Sequence, residues 1–329
     1  MSPHRLLFIM ALASLGCDRM VNRLGREDSR ACDLGLMDSC IRAAGHVPNL
    51  PGGARAPGAA PFLRRACELG SMPACTDYGA MLYNATGASR DRARAHELFR
   101  RACDARVKEA CRNVGLYYEE ERHENASAIR YYGMACALDD ARGCRFAGDL
   151  LDASDPAAAR VKYARSCALG DELGCGQEGV SRVVVDGVAG HHEGLPLLRR
   201  GCAAGHRMSC YNLGVIERDG EGGPNGPRDV PAARGHFATA CEAGVAFGCS
   251  NLGALLFDGA DGVPRDREAS VRAFRRGCEL GGARACGALG AEFLAGVNLP
   301  ADLTEADTLL TRACTLESWD HCDLLGTAA

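Results

Sequence analysis

Eighteen of the nineteen cysteines fall into nine pairs of one spacing: Cys32 and Cys40, Cys67 and Cys75, Cys103 and Cys111, Cys136 and Cys144, Cys167 and Cys175, Cys202 and Cys210, Cys241 and Cys249, Cys278 and Cys286, Cys314 and Cys322. Each pair reads C-x7-C. Cysteines in register are either metal ligands or disulfide partners. Structural zinc sites set theirs two to four residues apart, and nine consecutive eight-residue offsets do not have that form. Disulfides are the better account, and they require an oxidising compartment. The spacing therefore assigns no metal and no cofactor.

The N-terminus supplies that compartment. His4 and Arg5 precede the apolar run Leu6-Leu7-Phe8-Ile9-Met10-Ala11-Leu12-Ala13, which is too short to span a bilayer and has the form of a signal peptide. Residues 1–17 close on Ser14-Leu15-Gly16-Cys17, which resembles the bacterial lipobox, where cleavage leaves an N-terminal cysteine for diacylation. Ala11-Leu12-Ala13 offers a rival A-x-A cleavage site that would leave Cys17 unmodified. Parity favours lipidation, because Cys17 is the one cysteine outside the pairs and a free thiol on an exported protein is a liability. The expected location is the periplasm or cell envelope, with the membrane touched only through an anchor at Cys17. No other stretch is long and apolar enough to cross a bilayer. The formal charge is −4, and arginines are scattered among Asp and Glu, so no nucleic-acid partner is expected.

Other reactive constellations are sparse. His191-His192-Glu193 is the densest set of acid-base or metal-binding groups, but adjacent residues on a helix point in different directions, and an exposed helix start is the favoured reading. The only lysines are Lys108 and Lys162, neither three residues after a serine, so S-x-x-K is absent; so are G-x-S-x-G and H-E-x-x-H. No catalytic residue is assigned.

The elements that position the cysteines follow from their period. Successive first cysteines lie 35, 36, 33, 31, 35, 39, 37 and 36 residues apart, the period of helix-turn-helix solenoids. In the copy from Cys249 to Cys286, one helix runs through Ser250–Phe257 and stops at the turn run Asp258–Pro264. A second starts after Asp266, carries apolar residues on one face and arginines on the other, and ends at Gly281. Each pair thus joins the second helix of one repeat to the first helix of the next. Closing such a nine-residue loop contributes about 2.5 kcal/mol in the chain-entropy model. Residues 18–329 are expected to form a single, monomeric repeat domain of about eight repeats, bracketed by half-repeats at Asn22–Leu34 and Cys322–Gly326. Irregular loops are expected at Val183-Val184-Val185 and over Val47–Pro61.

Asn212-Leu213-Gly214 with Gly220, Asn251-Leu252-Gly253 with Gly259, and Gly262-Val263-Pro264-Arg265-Asp266 resemble the Sel1-like repeat, a relative of the tetratricopeptide repeat, and the C-x7-C pairs resemble its cysteine-rich bacterial branch known from Helicobacter. The resemblance covers residues 22 to 326 and implies an all-α, right-handed α/α solenoid. A mid-helix glycine costs about 1 kcal/mol relative to alanine, so the recurring glycine, with further copies at Gly115 and Gly290, implies close approach of a neighbouring helix. Gln177-Glu178-Gly179 departs from the motif. Members of that branch are often described as penicillin-binding proteins or weak β-lactamases, which would require a site of unfamiliar form here.

The resemblance also implies that the first helices line a concave surface. Two residues after each pair's second cysteine stand Asn113, Gln177, Asn212 and Asn251, with Asp77 and Arg42 in two other repeats. Along a groove these would form a ladder of donors and acceptors suited to an extended peptide backbone, with Arg42 available for a terminal carboxylate. The competing reading is that they satisfy backbone groups of their own first turn. The expected function is an exported scaffold that binds protein or peptide partners. The alternatives are a β-lactam-interacting hydrolase and a purely structural envelope protein.

Overall fold

The computed structural model describes residues 25–47, 55–221, 223, 226–296 and 299–316. The signal-peptide and lipidation positions, Cys17 included, lie outside the described residues, as does Cys322. The chain divides into two compact units, Met1–Ser154 and Asp155–Ala329.

In the first unit a helical stretch over 25–33 (α1) is followed by α2 (Met37–His46), α3 (Ala60–Glu68), α4 (Met72–Asn84), α5 (Arg92–Asp104), α6 (Lys108–Tyr117), α7 (Asn125–Ala137) and α8 (Ala141–Leu151). The second unit holds α9 (Pro156–Ala168), α10 (Glu172–Val185), α11 (His191–Ala203), α12 (Arg207–Asp219), α13 (Val230–Glu242), α14 (Ala246–Asp258), α15 (Arg267–Glu279), α16 (Ala283–Ala295) and α17 (Leu303–Thr315). Among the described residues there is no β-strand, only an isolated bridge between Ala260 and Val263 in a turn. Within each unit, consecutive helices pack against one another as stacked hairpins. The fold is the all-α, solenoid-type stack of stapled repeats that the cysteine period predicts.

Eight of the nine expected disulfides are described, and each joins the two cysteines that the spacing pairs. In the first unit Cys32 is bonded to Cys40, Cys67 to Cys75, Cys103 to Cys111 and Cys136 to Cys144. In the second, Cys167 is bonded to Cys175, Cys202 to Cys210, Cys241 to Cys249 and Cys278 to Cys286. Their Cα separations run from 4.4 Å to 4.7 Å. Cys314 is also disulfide-bonded. The second cysteines sit in the first turn of their helices and are closed off from solvent: Cys40, Cys75, Cys111, Cys144, Cys175, Cys249 and Cys286 are wholly buried and Cys210 nearly so.

Every described pair encloses the same turn. The residue three past the first cysteine is left-handed: Gly35, Gly70, Arg106, Asp139, Gly170, Gly205, Gly244 or Gly281. Its N–H donates to the carbonyl of that cysteine, as from Gly281 to Cys278 at 2.9 Å, and the next N–H donates to the residue before the cysteine, as from Gly282 to Gly277 at 2.8 Å. This double closure is a Schellman motif, which satisfies carbonyls at a helix end. Its last residue is also the N-cap of the following helix, so one short turn ends a helix, reverses the chain and starts another. Most second helices begin by a second device. Asp91, Asp155, Asp229, Asp266 and Asp302 each accept a hydrogen bond from an amide of the first turn, worth about 1 kcal/mol per cap.

The motif glycines of the first helices are where the second helix of the same repeat comes closest. A Cβ on Gly253 would lie 2.5 Å from the ring of Phe274, one on Gly115 2.5 Å from Tyr132, and one on Gly214 2.7 Å from Phe237. In these repeats the glycine stands four residues after a cysteine and the ring four residues before the next, so ring and hole share one register. Gly179 keeps its place despite the altered motif: with Leu198 opposite instead of a ring, the backbone itself approaches, and a Cβ would meet Leu198 N at 2.9 Å.

One expectation is corrected. Val183-Val184-Val185 is not an irregular loop but the last turn of α10. Val183 is buried in a cluster with Leu195, Leu198, Leu213 and Ile216, and that burial outweighs the few tenths of a kcal/mol by which β-branching disfavours helix. In the Val47–Pro61 stretch, Pro57–Ala59 forms a 3-10 turn, and residues 48–54 lie outside the described residues.

These contacts set the cost of substitution. Gly253→Ala is expected to destabilise the oxidised protein by about 1–3 kcal/mol through overpacking against Phe274, and by less in a Phe274→Leu background; urea denaturation of the four members of the cycle measures the coupling. A similar loss in both backgrounds would mean that the ring does not set the cost. At the staple turns, Arg106→Gly is expected to stabilise by about 0.5–1 kcal/mol, because Arg106 holds a φ of 64° that disfavours a side chain. Gly281→Ala is expected to destabilise by about 1 kcal/mol through backbone conformation alone, since a Cβ there would meet nothing within 4 Å.

Candidate binding surface on the first helices

Two residues along a helix is a turn of about 200°. With the second cysteines buried in the core, the residues two positions later come round to the opposite, partly accessible face. There the described structure places Arg42 on α2, Asp77 on α4, Asn113 on α6, Gln177 on α10, Asn212 on α12 and Asn251 on α14. The equivalent residues of α8 and α16 are Phe146 and Ala288.

Their partners differ from repeat to repeat. Arg42 donates to Asp28 of α1 at 3.0 Å and to Ser39 at 2.8 Å, and holds the Asp28 carboxyl below the usual carboxylate range. Asp77 accepts from Arg55 through Nε at 3.1 Å and Nη2 at 2.8 Å. Asn212 donates Nδ2 to the carbonyl of Met208 at 2.8 Å, inside its own helix, as the competing reading of the sequence expected. Gln177 is also engaged. Two amides carry no hydrogen bond among the described residues, Asn113 in the first unit and Asn251 in the second. The row exists as a register of equivalent positions, while its free hydrogen-bonding capacity is concentrated at those two.

Asn113 opens into a cavity between α4 and α6. It measures about 240 Å3 and is lined by Ala80, Tyr83, Asn84, Phe99, Asn113, Leu116 and Glu120. Its acidic side comes from a π-helical turn, Tyr118–Arg122, that continues α6 and projects Glu119, Glu120 and Glu121; such turns are frequent at functional sites. Tyr83 donates its hydroxyl to Glu120 Oε2 at 3.0 Å and to Glu121 Oε1 at 3.2 Å. Burial, then the Glu120 hydrogen bond and charge, push the Tyr83 phenol far above its ordinary pKa, so it stays a donor at any physiological pH. Tyr132 donates to Glu119 at 2.5 Å. Arg92 pairs with Glu121 and lies over the Tyr83 ring, 5.2 Å from its centroid. Glu119 and Glu120 have no cationic partner among the described residues.

Tyr83 and Glu120 are not among the residues that the sequence singles out. Their signal lies in the register, since they stand eight and nine residues after Cys75 and Cys111, the second cysteines of their repeats, one helical turn and more beyond the amide positions, but aligned only across neighbouring helices. In the second unit, α9 and α10 enclose a more apolar groove of about 610 Å3, walled by Val161, Ala164 and Val185 and flanked by Arg160, Glu178 and Arg182. The histidine pair begins α11, and Glu193 beside it is taken up by Arg182, so His191, His192 and Glu193 do not converge on one point.

A family model of the Sel1 repeat matches residues 73–106, 108–140, 207–245 and 246–282. Over 56 residues the chain is 39% identical to cytochrome c oxidase assembly factor 7 of Mus musculus and, over an equal length, 36% identical to the Homo sapiens protein; each match covers 17% of this chain and 24% of the relative. The chain therefore spans about a quarter of the length of these relatives. In fold, it is similar to a Sel1 repeat protein from Oxalobacter formigenes, with a TM-score of 0.62 and 17% identity over 92% of this chain and 90% of that one. It is also similar to a chain of the APC/C hetero-tetramer Cut9–Hcn1, with a TM-score of 0.52 and 14% identity over 88% of this chain and 59% of that one. Repeats of this kind generally mediate protein–protein interaction. The chain thus carries four Sel1 repeats, on disulfide-stapled hairpins whose fold is that of Sel1-repeat proteins.

Proposed function

We propose that this protein is an exported scaffold of the bacterial cell envelope that binds protein or peptide partners along the accessible face of its first helices. The observation that carries this reading is the pair of partly accessible amides without a protein hydrogen bond at one repeat register, Asn113 and Asn251, the first of them opening into the α4–α6 cavity. An amide offers both a donor and an acceptor, which is what an extended backbone needs from a groove. Export is supported by the disulfides, whose chemistry belongs to oxidising compartments. Lipid anchorage through Cys17 is supported by the odd cysteine count and by the lipobox-like residues before it.

Peptide arrays probed with the purified, oxidised protein test the binding. Asn113→Ala and Asn251→Ala are each expected to weaken peptides bound by their own unit by about tenfold, the scale of one or two hydrogen bonds. Asn212→Ala is expected to leave binding unchanged, because that amide is already bonded within α12. A blank array, or equal losses for all three substitutions, would count against this surface.

Anchorage is tested separately. Cells fed a radiolabelled or alkyne fatty acid are expected to label the protein and to retain it in the membrane fraction, and Cys17→Ala to abolish both. Label that persists on the substituted protein would place the acyl chain elsewhere, and no label on either would make the protein freely secreted.

A further inference from the structure

We infer that the α4–α6 cavity is a receptor for one cationic side chain, arginine or lysine, of a bound segment; this deepens the scaffold reading and rests on it for the surrounding peptide contacts. At about 240 Å3 the cavity falls below the size of sites for drug-sized ligands and suits a single long side chain. Its walls are Ala80, Leu116 and the rings of Tyr83 and Phe99, which match the apolar stem of such a residue. Its polar groups are the Glu120 carboxylate and the side-chain amides of Asn84 and Asn113, each of which can turn an oxygen toward the head of that residue.

The charge balance around Tyr83 decides the sign of the ligand. On one side of this side chain the protein already places a guanidinium: Arg92 pairs with Glu121 and covers the ring. On the cavity side, Glu120 has only the Tyr83 hydroxyl, at 3.0 Å. That hydrogen bond orients the carboxylate without neutralising it. The neighbouring Glu119 is likewise held by a phenol, Tyr132, and not by a cation. Two tyrosine-fixed carboxylates with no positive partner, one of them on the wall of a cavity that also offers an aromatic face, make a site complementary to a cation in charge and in ring geometry. An anionic side chain would face Glu120 directly, and a neutral one would forgo the charge-assisted hydrogen bond.

The test uses the full-length oxidised protein and the tripeptide acetyl-Ala-Arg-Ala-amide, with acetyl-Ala-Gln-Ala-amide as the neutral control. Binding is read from the ring signals of Tyr83 in a tyrosine-labelled NMR spectrum, assigned with Tyr83→Phe. The arginine tripeptide is expected to shift these signals saturably and to bind at least tenfold more tightly than the glutamine one. Glu120→Gln, at an exposed position, is expected to remove that preference while leaving the rest of the spectrum unchanged. Ala80→Phe, which puts a ring into the cavity without altering charge, is expected to remove binding of both. Equal affinity for the two tripeptides, absence of binding to either, or a preference that survives Glu120→Gln overturns the inference. The peptide array separates it from the scaffold reading: array binding indifferent to Glu120→Gln leaves the scaffold and removes the cation site, whereas a blank array with a selective tripeptide does the reverse.

Discussion

The turn inside each cysteine pair is fixed twice, by a disulfide between residues eight apart and by a left-handed residue whose amide, with the next one, caps the preceding helix. Neither alone would set the angle between the two helices as firmly. The hydrogen bonds define where the first helix stops and put the next N-cap in place; the disulfide then holds the first turn of the new helix against the last turn of the old one. Because the same closure recurs in all eight described pairs, every first helix begins at the same phase relative to its predecessor. All else in the repeats is referenced to that phase: the glycine four residues after the cysteine, the ring four residues before the next, and the outward row two residues after.

The ring-over-glycine contact is the second constraint, and it acts within a repeat where the disulfide acts between repeats. Tyr132, Phe237 and Phe274 occupy space that a single added methyl group would claim, so the helices of a hairpin approach closely at one level and are free to vary elsewhere. That division of labour lets the turn opposite the staple differ widely, from the π-helical turn at Tyr118–Arg122 to the bridged turn at Ala260–Val263, without disturbing the register on the stapled side.

Much of this was legible in the sequence because covalent chemistry and glycine leave signatures independent of context. Cysteine spacing assigned the repeat, the pairing and the helix order; Asp266 marked a helix start and Gly281 a helix stop; and the Leu-Gly motif announced a close approach before the opposing ring was known. The side-chain choices on the accessible face were not legible in the same way. Asn113 and Asn212 stand at the same register, two residues past Cys111 and Cys210, yet one opens into a cavity and the other bonds to Met208, a difference decided by neighbours on other helices. The helical course of Val183–Val185 was missed for a related reason, since the burial that overrides β-branching comes from Leu195, Leu198, Leu213 and Ile216, distant in the local pattern. Glu120 is one of three consecutive glutamates, and what sets it apart, the Tyr83 hydroxyl from the preceding repeat, is not written in its local sequence.

The locality of the disulfides has a consequence for how the chain matures. Each bond closes a ring within one turn, whereas the nearest wrong partner lies beyond a full helical hairpin, and a loop three times as long costs about 1 kcal/mol more to close. Once the capping hydrogen bonds have formed, the correct thiols are also already adjacent, which widens that gap. Oxidation can then keep pace with the chain as it emerges, each ring closing when its own two cysteines appear and none waiting for sequence still to come. A protein with nineteen cysteines would ordinarily face a vast number of pairings; across the eight described pairs the architecture reduces the problem to independent choices, each made locally and in order.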